Sequence, residues 1–180
     1  NGIIVQSPFD SEENIDSDLI VNTVNPNKDV DGLHHVNAGK VLHGQTEDAF
    51  IPCTPKGSLE LIKSTQVPIA GKNAVVLGRS KLVGSPMATL LKFNDATVTI
   101  CHSKTQNLSN ICKTADILVV AIGKPRYVKR DWIKPGSIVI DCGINSIQEN
   151  GKNRICGDVD FEEASKVAGF ITPVPGKLNY

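Results

Sequence analysis

The stretch at residues 73–84 constrains the fold of this chain more than any other. Residues 74–77 form a short apolar, β-branched run that ends at Gly78, and a helical segment with Pro86 in its first turn follows Gly84. The run is typical of a buried parallel strand, and the position of the proline is typical of a helix start. Because a strand that turns on glycine into a helix directs backbone N–H groups toward one point, the stretch predicts an anion site.

The spacing G-x-S-x-x-x-G at residues 78–84 is a loosened dinucleotide-binding fingerprint, with serine where the second glycine usually stands. Taken by itself, the spacing also fits an ordinary strand–helix turn. About twenty residues further on, a second apolar run at residues 96–101 ends where an NAD enzyme typically has Asp or Glu for the ribose 2′-hydroxyl. Here Ser103 and Lys104 follow the run, and Arg79 lies in the turn. The sequence therefore predicts NADP as the cofactor.

Composition argues against several classes of partner. Nineteen Lys and Arg residues balance nineteen Asp and Glu residues, so the charge gives no reason to expect nucleic acid or an anionic membrane. No apolar run approaches the length of a membrane span. The five cysteines are scattered without a Cys-x-x-Cys pair, which favours a reducing compartment and argues against a zinc or disulfide framework. No metal site is predicted.

Beyond residue 84 the chain alternates between helical segments and continuous runs of Val and Ile. Such runs at residues 116–121 and 137–143, with a helix at 161–167 and a short strand at 169–172, predict a parallel sheet covered on both faces. The predicted fold class is α/β, a Rossmann-like doubly wound parallel sheet. Ligands of such sheets bind outside the carboxyl ends of the strands. That rule places four positions around one crevice: Gly78, Ser103, Gly123 and Ile144.

The residues before this region predict part of a second α/β domain. Residues 2–6 predict a buried strand, and residues 15–24 predict a helix that Asn25-Pro26 ends. A strand and a helix cannot form a domain by themselves. A further helix begins with Thr54 as its cap and Pro55 as its first residue. The expected domains are the remnant of a second α/β domain (1–54), a connecting helix (55–68), an NADP-binding Rossmann domain (69–172) and a truncated return segment (173–180).

Seven motifs in the same order resemble the methylenetetrahydrofolate dehydrogenase/cyclohydrolase family. They are Val5-Gln6-Ser7-Pro8, Lys28-Asp29-Val30-Asp31-Gly32, Pro52-Cys53-Thr54-Pro55, Gly78-Arg79-Ser80-Lys81-Leu82-Val83-Gly84, Asp141-Cys142-Gly143-Ile144-Asn145, Gly157-Asp158-Val159 and Ile171-Thr172-Pro173-Val174-Pro175-Gly176. The resemblance covers nearly the whole chain except residues 177–180. Within the family, the motifs look most like the corresponding domain of the eukaryotic cytoplasmic C1-tetrahydrofolate synthases.

The resemblance implies a pair of reactions in the one-carbon metabolism that serves purine biosynthesis. An NADP-dependent step oxidises 5,10-methylenetetrahydrofolate to 5,10-methenyltetrahydrofolate, and a hydrolytic step converts that product to 10-formyltetrahydrofolate. The resemblance also implies a cytoplasmic enzyme that is a homodimer when complete. Its substrate would be a folate, and residues 1–54 would belong to the catalytic domain that binds it. The balanced charge gives no reason to expect nucleic acid or a membrane as a partner.

The resemblance also implies the site residues. Asp31 would correspond to the carboxylate that anchors the pterin, whose adjacent N–H donors suit an acceptor with two oxygens. Gln6 would correspond to the glutamine at the reacting centre, so these two are the expected catalytic residues. The other expected folate-site residues are Val5, Ser7, Pro175 and Gly176, and the expected cofactor-site residues are Gly78, Arg79, Ser80, Ser103 and Ile144.

The family's catalytic lysine and the neighbouring tyrosine have no counterpart in their motif here, so we expect an incomplete form of the enzyme. Two alternatives remain open. One is a non-catalytic remnant that binds NADP without performing chemistry. The other is a different Rossmann oxidoreductase, such as a shikimate-type dehydrogenase, although Asp31 and Gln6 in their motifs count against it.

Overall fold

A computed structural model of the chain describes residues 1–6, 9–10, 15–149 and 151–176. Within these residues the helices are α1 (Ser17–Thr23), α2 (His35–Leu42), α3 (Cys53–Ser64), α4 (Gly84–Lys92), α5 (Leu108–Cys112) and α6 (Phe161–Ala164). The strands are β1 (Asn73–Leu77), β2 (Thr97–Cys101), β3 (Ile117–Val120), β4 (Ile138–Asp141), β5 (Asn145–Glu149), β6 (Lys152–Cys156) and β7 (Phe170–Ile171). No helix in the described ranges combines the length and the apolar character that crossing a bilayer requires.

Five of the described strands form one parallel sheet, in the order β2-β1-β3-β4-β7. Val75 in β1 is in register with Thr99 in β2 and with Leu118 in β3. All of β3 and β4 is buried, as expected for strands that are flanked and covered on both faces. The predicted doubly wound parallel sheet is therefore confirmed.

Alternate residues of the strands point into two separate cores. On one face Ala74 and Val76 of β1 pack with Ile62 of α3 and Leu91 of α4. On the other face Val75 and Leu77 belong to a second cluster, which also contains residues of α5 and α6: Cys112 and Ala164. Helices therefore cover both faces of the sheet, and the loops at its carboxyl edge follow strands that are packed between them.

The prediction of a buried strand at residues 2–6 is wrong. Only Ile3 forms a bridge, to Asp29, and its N–H donates to the Lys28 carbonyl at 2.7 Å. Ile3 and Ile4 are 43% and 63% exposed. An apolar run of this kind becomes a buried strand only when neighbouring strands cover it, and within the described residues a single bridge is its only β pairing.

Helix α3 begins one residue before the predicted cap. Pro52 occupies the N-cap position and Cys53 is the first helical residue, so Thr54 and Pro55 lie inside the first turn. The first turn leaves its N–H groups unpaired in any helix, and a proline there costs no hydrogen bond.

The antiparallel hairpin of β5 and β6 was not predicted. Half-buried and exposed residues alternate along β5, whereas β6 is exposed except for Cys156. Glu149 of β5 accepts hydrogen bonds from Arg126 and from Arg154 of β6. These bonds lower the pKa of Glu149 to about 2. The Asn-Gly pair at residues 150–151, a frequent two-residue hairpin turn, is the sequence signal that pointed to it.

The first prediction concerns Ser137, which is 4% exposed and whose hydroxyl has no hydrogen-bond partner among the described residues. We expect Ser137→Ala to raise the free energy of unfolding by about 1 kcal/mol. A buried hydroxyl without a partner loses its hydrogen bonds to water on folding and forms none in the folded chain. Urea unfolding measures the change.

Thr172→Val is the matched control, because the Thr172 hydroxyl accepts the Asp141 N–H at 2.8 Å. We expect this substitution to lower the free energy of unfolding by about 1–3 kcal/mol. A similar decrease in the free energy of unfolding in both variants would contradict the prediction for Ser137.

Candidate functional site

The turn between β1 and α4 is built by close backbone approaches. Gly78 has a φ of 124°, and a side chain there would meet the Ala121 carbonyl oxygen at 2.2 Å. A side chain at Gly84 would meet the Gly78 carbonyl oxygen at 2.3 Å. The Ser80 hydroxyl accepts the N–H groups of Val83 and Gly84, and so takes the place of a helix cap. The glycines and the serine of the fingerprint therefore shape the turn.

A crevice of about 270 Å³ opens at the carboxyl ends of β1, β2 and β3. Its polar lining consists of Arg79, His102, Ser103 and Lys124, and no Asp or Glu lines it among the described residues. Neither Arg79 nor Lys124 makes an ion pair within the described part of the chain. The crevice is therefore electropositive and offers hydrogen-bond donors to an anion.

Asp158 holds the loop that follows β3. Its carboxylate accepts the N–H groups of Ile122, Gly123 and Lys124 at 2.7–2.9 Å, and the Asn145 side-chain amide at 2.8 Å. Asp158 is completely buried. A buried carboxylate is stable only when hydrogen bonds replace its hydration, and here the loop backbone supplies them.

Asp141, the last residue of β4, holds Asp158 in turn. Its carboxylate accepts the N–H groups of Gly143, Asp158 and Val159 at 2.8–3.0 Å. Burial raises the pKa of the Asp141 carboxyl, and these N–H groups partly oppose that shift. Because the pKa is higher in the folded than in the unfolded chain, Asp141 favours folding as the pH falls toward the ordinary aspartate value.

A larger cavity, of about 1040 Å³, lies against the N-terminal part of the chain. Val5, Gln6 and Asp31 line it together with residues of α3, among them Cys53 and Lys56. Leu82 and Val83, from the turn between β1 and α4, line it as well. The structure thus brings together Val5, Gln6 and Asp31 of the expected site.

The two carboxylates of the Asp29-x-Asp31 loop have different surroundings. Asp29 is 5% exposed, and its carboxylate accepts the His34 N–H and the Asn37 side-chain amide at 2.8 and 2.9 Å. The Asp31 carboxylate is half-buried at the large cavity and makes no hydrogen bond or ion pair with the described residues. Asp29 therefore stabilises the loop, and Asp31 has both oxygens available to a ligand.

Some expected site residues do not line these cavities. Ser80 acts inside its turn, and Ile144 is 79% exposed beyond the crevice. Pro175 and Gly176 follow β7 as exposed residues outside the lining of both cavities. Ser7 lies outside the described residues. Gly78, Arg79 and Ser103 do line the crevice.

Several residues at the crevice were not predicted. His102, Lys124 and Tyr127 line it, and Asp158 supports it. The signal for the first two is position, because each lies in the segment that follows the carboxyl end of a strand of the parallel sheet. For Asp158 the only signal is an acidic residue in a Gly-Asp-Val motif, and its three partners in the loop after β3 are more than thirty positions away.

The second prediction follows from the bonds of Asp158. In Asp158→Asn, we expect the amide hydrogens of Ile122, Gly123 and Lys124 to exchange with solvent at least about tenfold faster, because an amide accepts fewer bonds than a carboxylate. Native-state hydrogen exchange measures this. Asp160→Asn is the control, since Asp160 pairs with Lys129 and the three loop N–H groups donate to Asp158 instead. Unchanged exchange at the three amides in Asp158→Asn would contradict the role of this carboxylate.

Known proteins share both the sequence and the fold. A family model for the tetrahydrofolate dehydrogenase/cyclohydrolase NAD(P)-binding domain matches residues 52–179. The cytoplasmic C-1-tetrahydrofolate synthase of Homo sapiens is 57% identical over 179 residues, which are 98% of this chain but 19% of the synthase.

Two solved structures of this family have the same fold as the chain. The bifunctional FolD methylenetetrahydrofolate dehydrogenase/cyclohydrolase of Campylobacter jejuni superimposes with a TM-score of 0.91 and 46% identity. The methylenetetrahydrofolate dehydrogenase-cyclohydrolase of Trypanosoma brucei, complexed with NADP and an inhibitor, has a TM-score of 0.91 and 41% identity. Each match covers 98% of this chain and 61% of the solved chain. This chain belongs to the tetrahydrofolate dehydrogenase/cyclohydrolase family and contains its NAD(P)-binding domain.

Proposed function

We propose that the protein to which this chain belongs catalyses two reactions. It oxidises 5,10-methylenetetrahydrofolate to 5,10-methenyltetrahydrofolate with NADP⁺, and it hydrolyses that product to 10-formyltetrahydrofolate. Family membership supports the reaction class, and the electropositive crevice supports a phosphorylated cofactor.

The observation that carries the proposal is that one turn borders both cavities. Leu82 and Val83 line the large cavity, and Gly78 and Arg79, from the same turn, line the crevice. A hydride passes directly between two molecules only when the reacting atoms are about 3–3.5 Å apart. Cavities that share a wall favour such an encounter, because ligands that occupy both of them approach each other at that wall.

The residues of the crevice fit NADP. When bound, NADP⁺ supplies the hydride acceptor. We assign the Arg79 guanidinium and the Ser103 hydroxyl to the 2′-phosphate, because both donate hydrogen bonds and no carboxylate among the described lining residues repels that group. Gly78 lets the cofactor approach the strand end, Ser80 maintains the turn, and Ile144 offers an exposed apolar surface to the nicotinamide side.

The residues of the large cavity fit a folate. We assign the Asp31 carboxylate to the pterin N–H donors, because both of its oxygens are available at the cavity. Gln6 and Val5 are assigned to the reacting centre. Ser7, Pro175 and Gly176 are assigned to the same ligand on the strength of their motifs.

We also propose a domain organisation and a cellular context. Residues 1–54 would belong to the catalytic domain, residues 55–68 to a connecting helix, residues 69–172 to the cofactor domain and residues 173–180 to a return segment. The curated synthases that match this chain are named cytoplasmic, which supports a cytoplasmic enzyme. We further propose that the complete enzyme is a homodimer and binds neither nucleic acid nor a membrane.

Binding and turnover measured in parallel test the function. NADPH binding is titrated on the 180-residue chain, and methenyltetrahydrofolate formation from methylenetetrahydrofolate and NADP⁺ is followed on this chain and on a version preceded by the family's lysine-bearing segment. We expect both to bind NADPH. We expect turnover to be about 10²–10⁴ slower without the general acid/base. An extended version that binds NADPH but shows no turnover would contradict the proposal and favour the non-catalytic remnant.

The third prediction separates the two carboxylates of the Asp29-x-Asp31 loop. We expect Asp31→Asn to weaken folate binding to the extended version by about tenfold or more without changing its stability, because charge-assisted hydrogen bonds to a ligand are lost. We expect Asp29→Ala to lower the free energy of unfolding by about 1–3 kcal/mol, because the His34 N–H and the Asn37 side-chain amide lose their acceptor. Folate titration measures the change in binding, and urea unfolding measures the change in stability of both variants. A loss of stability in Asp31→Asn would contradict the assignment of Asp31 as a ligand group.

The fourth prediction tests the choice of cofactor. We expect Arg79→Ala to weaken NADPH binding to the chain by about 10–100-fold and NADH binding much less, because only NADPH carries the 2′-phosphate. Lys81→Ala is the control, since Lys81 belongs to the same turn but pairs with Asp18 outside the crevice. Equal weakening of NADPH and NADH in Arg79→Ala would count against the assignment.

A further inference from the structure

The loop after β3 carries a lysine whose backbone is fixed at the crevice. The Lys124 N–H donates to Asp158 at 2.8 Å, and Gly123 and Arg126 on either side have φ values of 63° and 49°. Residues in this left-handed region hold the chain in one sharp path. The hydrogen bond holds the backbone of Lys124 in place, and its side chain is exposed.

Lys124 differs from the other basic residues around it. Each of the next three basic residues contacts a carboxylate at 2.9–3.7 Å; the pairs are Arg126 with Glu149, Lys129 with Asp160, and Arg130 with Glu163. The Lys124 ammonium has no carboxylate partner among the described residues. It lies 5.0 Å from the centroid of the Tyr127 ring instead, and that ring packs edge-on against Trp132.

The position of Lys124 complements Arg79 and Ser103. These two residues follow β1 and β2, whereas Lys124 follows β3 on the other side of β1, and all three line the crevice. Adjacent strands are about 4.8 Å apart, so the ends of β2 and β3 are separated by about 10 Å. A phosphate monoester between them is within one Debye length of cations on both sides at physiological salt.

We propose that Lys124 determines cofactor specificity by leaving the Tyr127 ring and pairing with the 2′-phosphate of NADP, opposite Arg79 and Ser103. The inference rests on the proposed NADP-dependent function and adds a third residue to its phosphate site. A cation–π contact at an exposed position is weaker than a charge-assisted hydrogen bond to phosphate, so the exchange of partners favours binding.

NADPH and NADH titrations of the 180-residue chain at low and at high salt test this. We expect Lys124→Gln to weaken NADPH binding about tenfold at low salt and NADH binding less than twofold, because one charge-assisted bond to the 2′-phosphate is lost. The difference in NADPH affinity between Lys124→Gln and the unsubstituted chain should shrink at 1 M salt, where the Debye length falls to about 3 Å. Lys124→Arg keeps the charge and should bind NADPH within about threefold of the unsubstituted chain.

Lys113→Gln is the matched control, because Lys113 is exposed beyond α5 and does not line the crevice. It makes the same change in net charge and should leave NADPH affinity unchanged. Unchanged NADPH affinity in Lys124→Gln, or an equal loss for NADH, would overturn the inference while leaving the proposed function in place. A chain that folds but binds no NADPH would overturn the proposed function and this inference together.

Discussion

Two buried carboxylates hold the carboxyl edge of the sheet together. Asp141 at the end of β4 accepts the N–H groups of Asp158 and Val159, and Asp158 accepts three consecutive N–H groups from the loop after β3. Each carboxylate gives up hydration on burial, and the backbone donors restore what is lost. The removal of either carboxylate would leave several buried N–H groups without acceptors, which makes this pair more important than any surface ion pair of the chain.

The charges of the chain fall into two groups with different roles. Asp29 and Asp158 have backbone and amide partners and are part of the framework. Asp31, Arg79 and Lys124 make no ion pair with the described residues and lie at the two cavities. These three side chains carry only a small desolvation penalty when no ligand is present, because each keeps some contact with solvent. Their charge remains available for a ligand.

The sequence predicted the sheet well and its polar connections poorly. The buried runs at β1, β3 and β4 are continuous in Val, Ile and Leu, so their type and order follow from local composition. Residues 2–6 have the same composition but are largely exposed, because burial depends on neighbouring strands that composition does not report. The hairpin of β5 and β6 had a local signal in Asn-Gly that was missed.

Prediction of the site was limited because local sequence does not report contacts between residues that are distant along the chain. The fingerprint and the motifs predicted Gly78, Arg79 and Ser103, which line the crevice, and Asp31, which lines the large cavity. Family membership is confirmed. The spacing of Asp29 and Asp31 cannot tell which carboxylate is satisfied by Asn37 and which is available to a ligand. Likewise, the contact of Asp158 with the loop after β3 joins residues more than thirty positions apart, and no local pattern encodes such a contact.

The turn between β1 and α4 has a consequence for how two ligands influence each other. Gly78 and Arg79 form part of one cavity wall, and Leu82 and Val83 form part of the other. Any ligand that shifts this turn changes the shape offered to the second ligand. Thermodynamic linkage then requires the effect to be reciprocal: the factor by which the first ligand alters the affinity of the second equals the factor by which the second alters that of the first. A ligand that moves the turn is thus coupled energetically to a ligand in the other cavity without touching it.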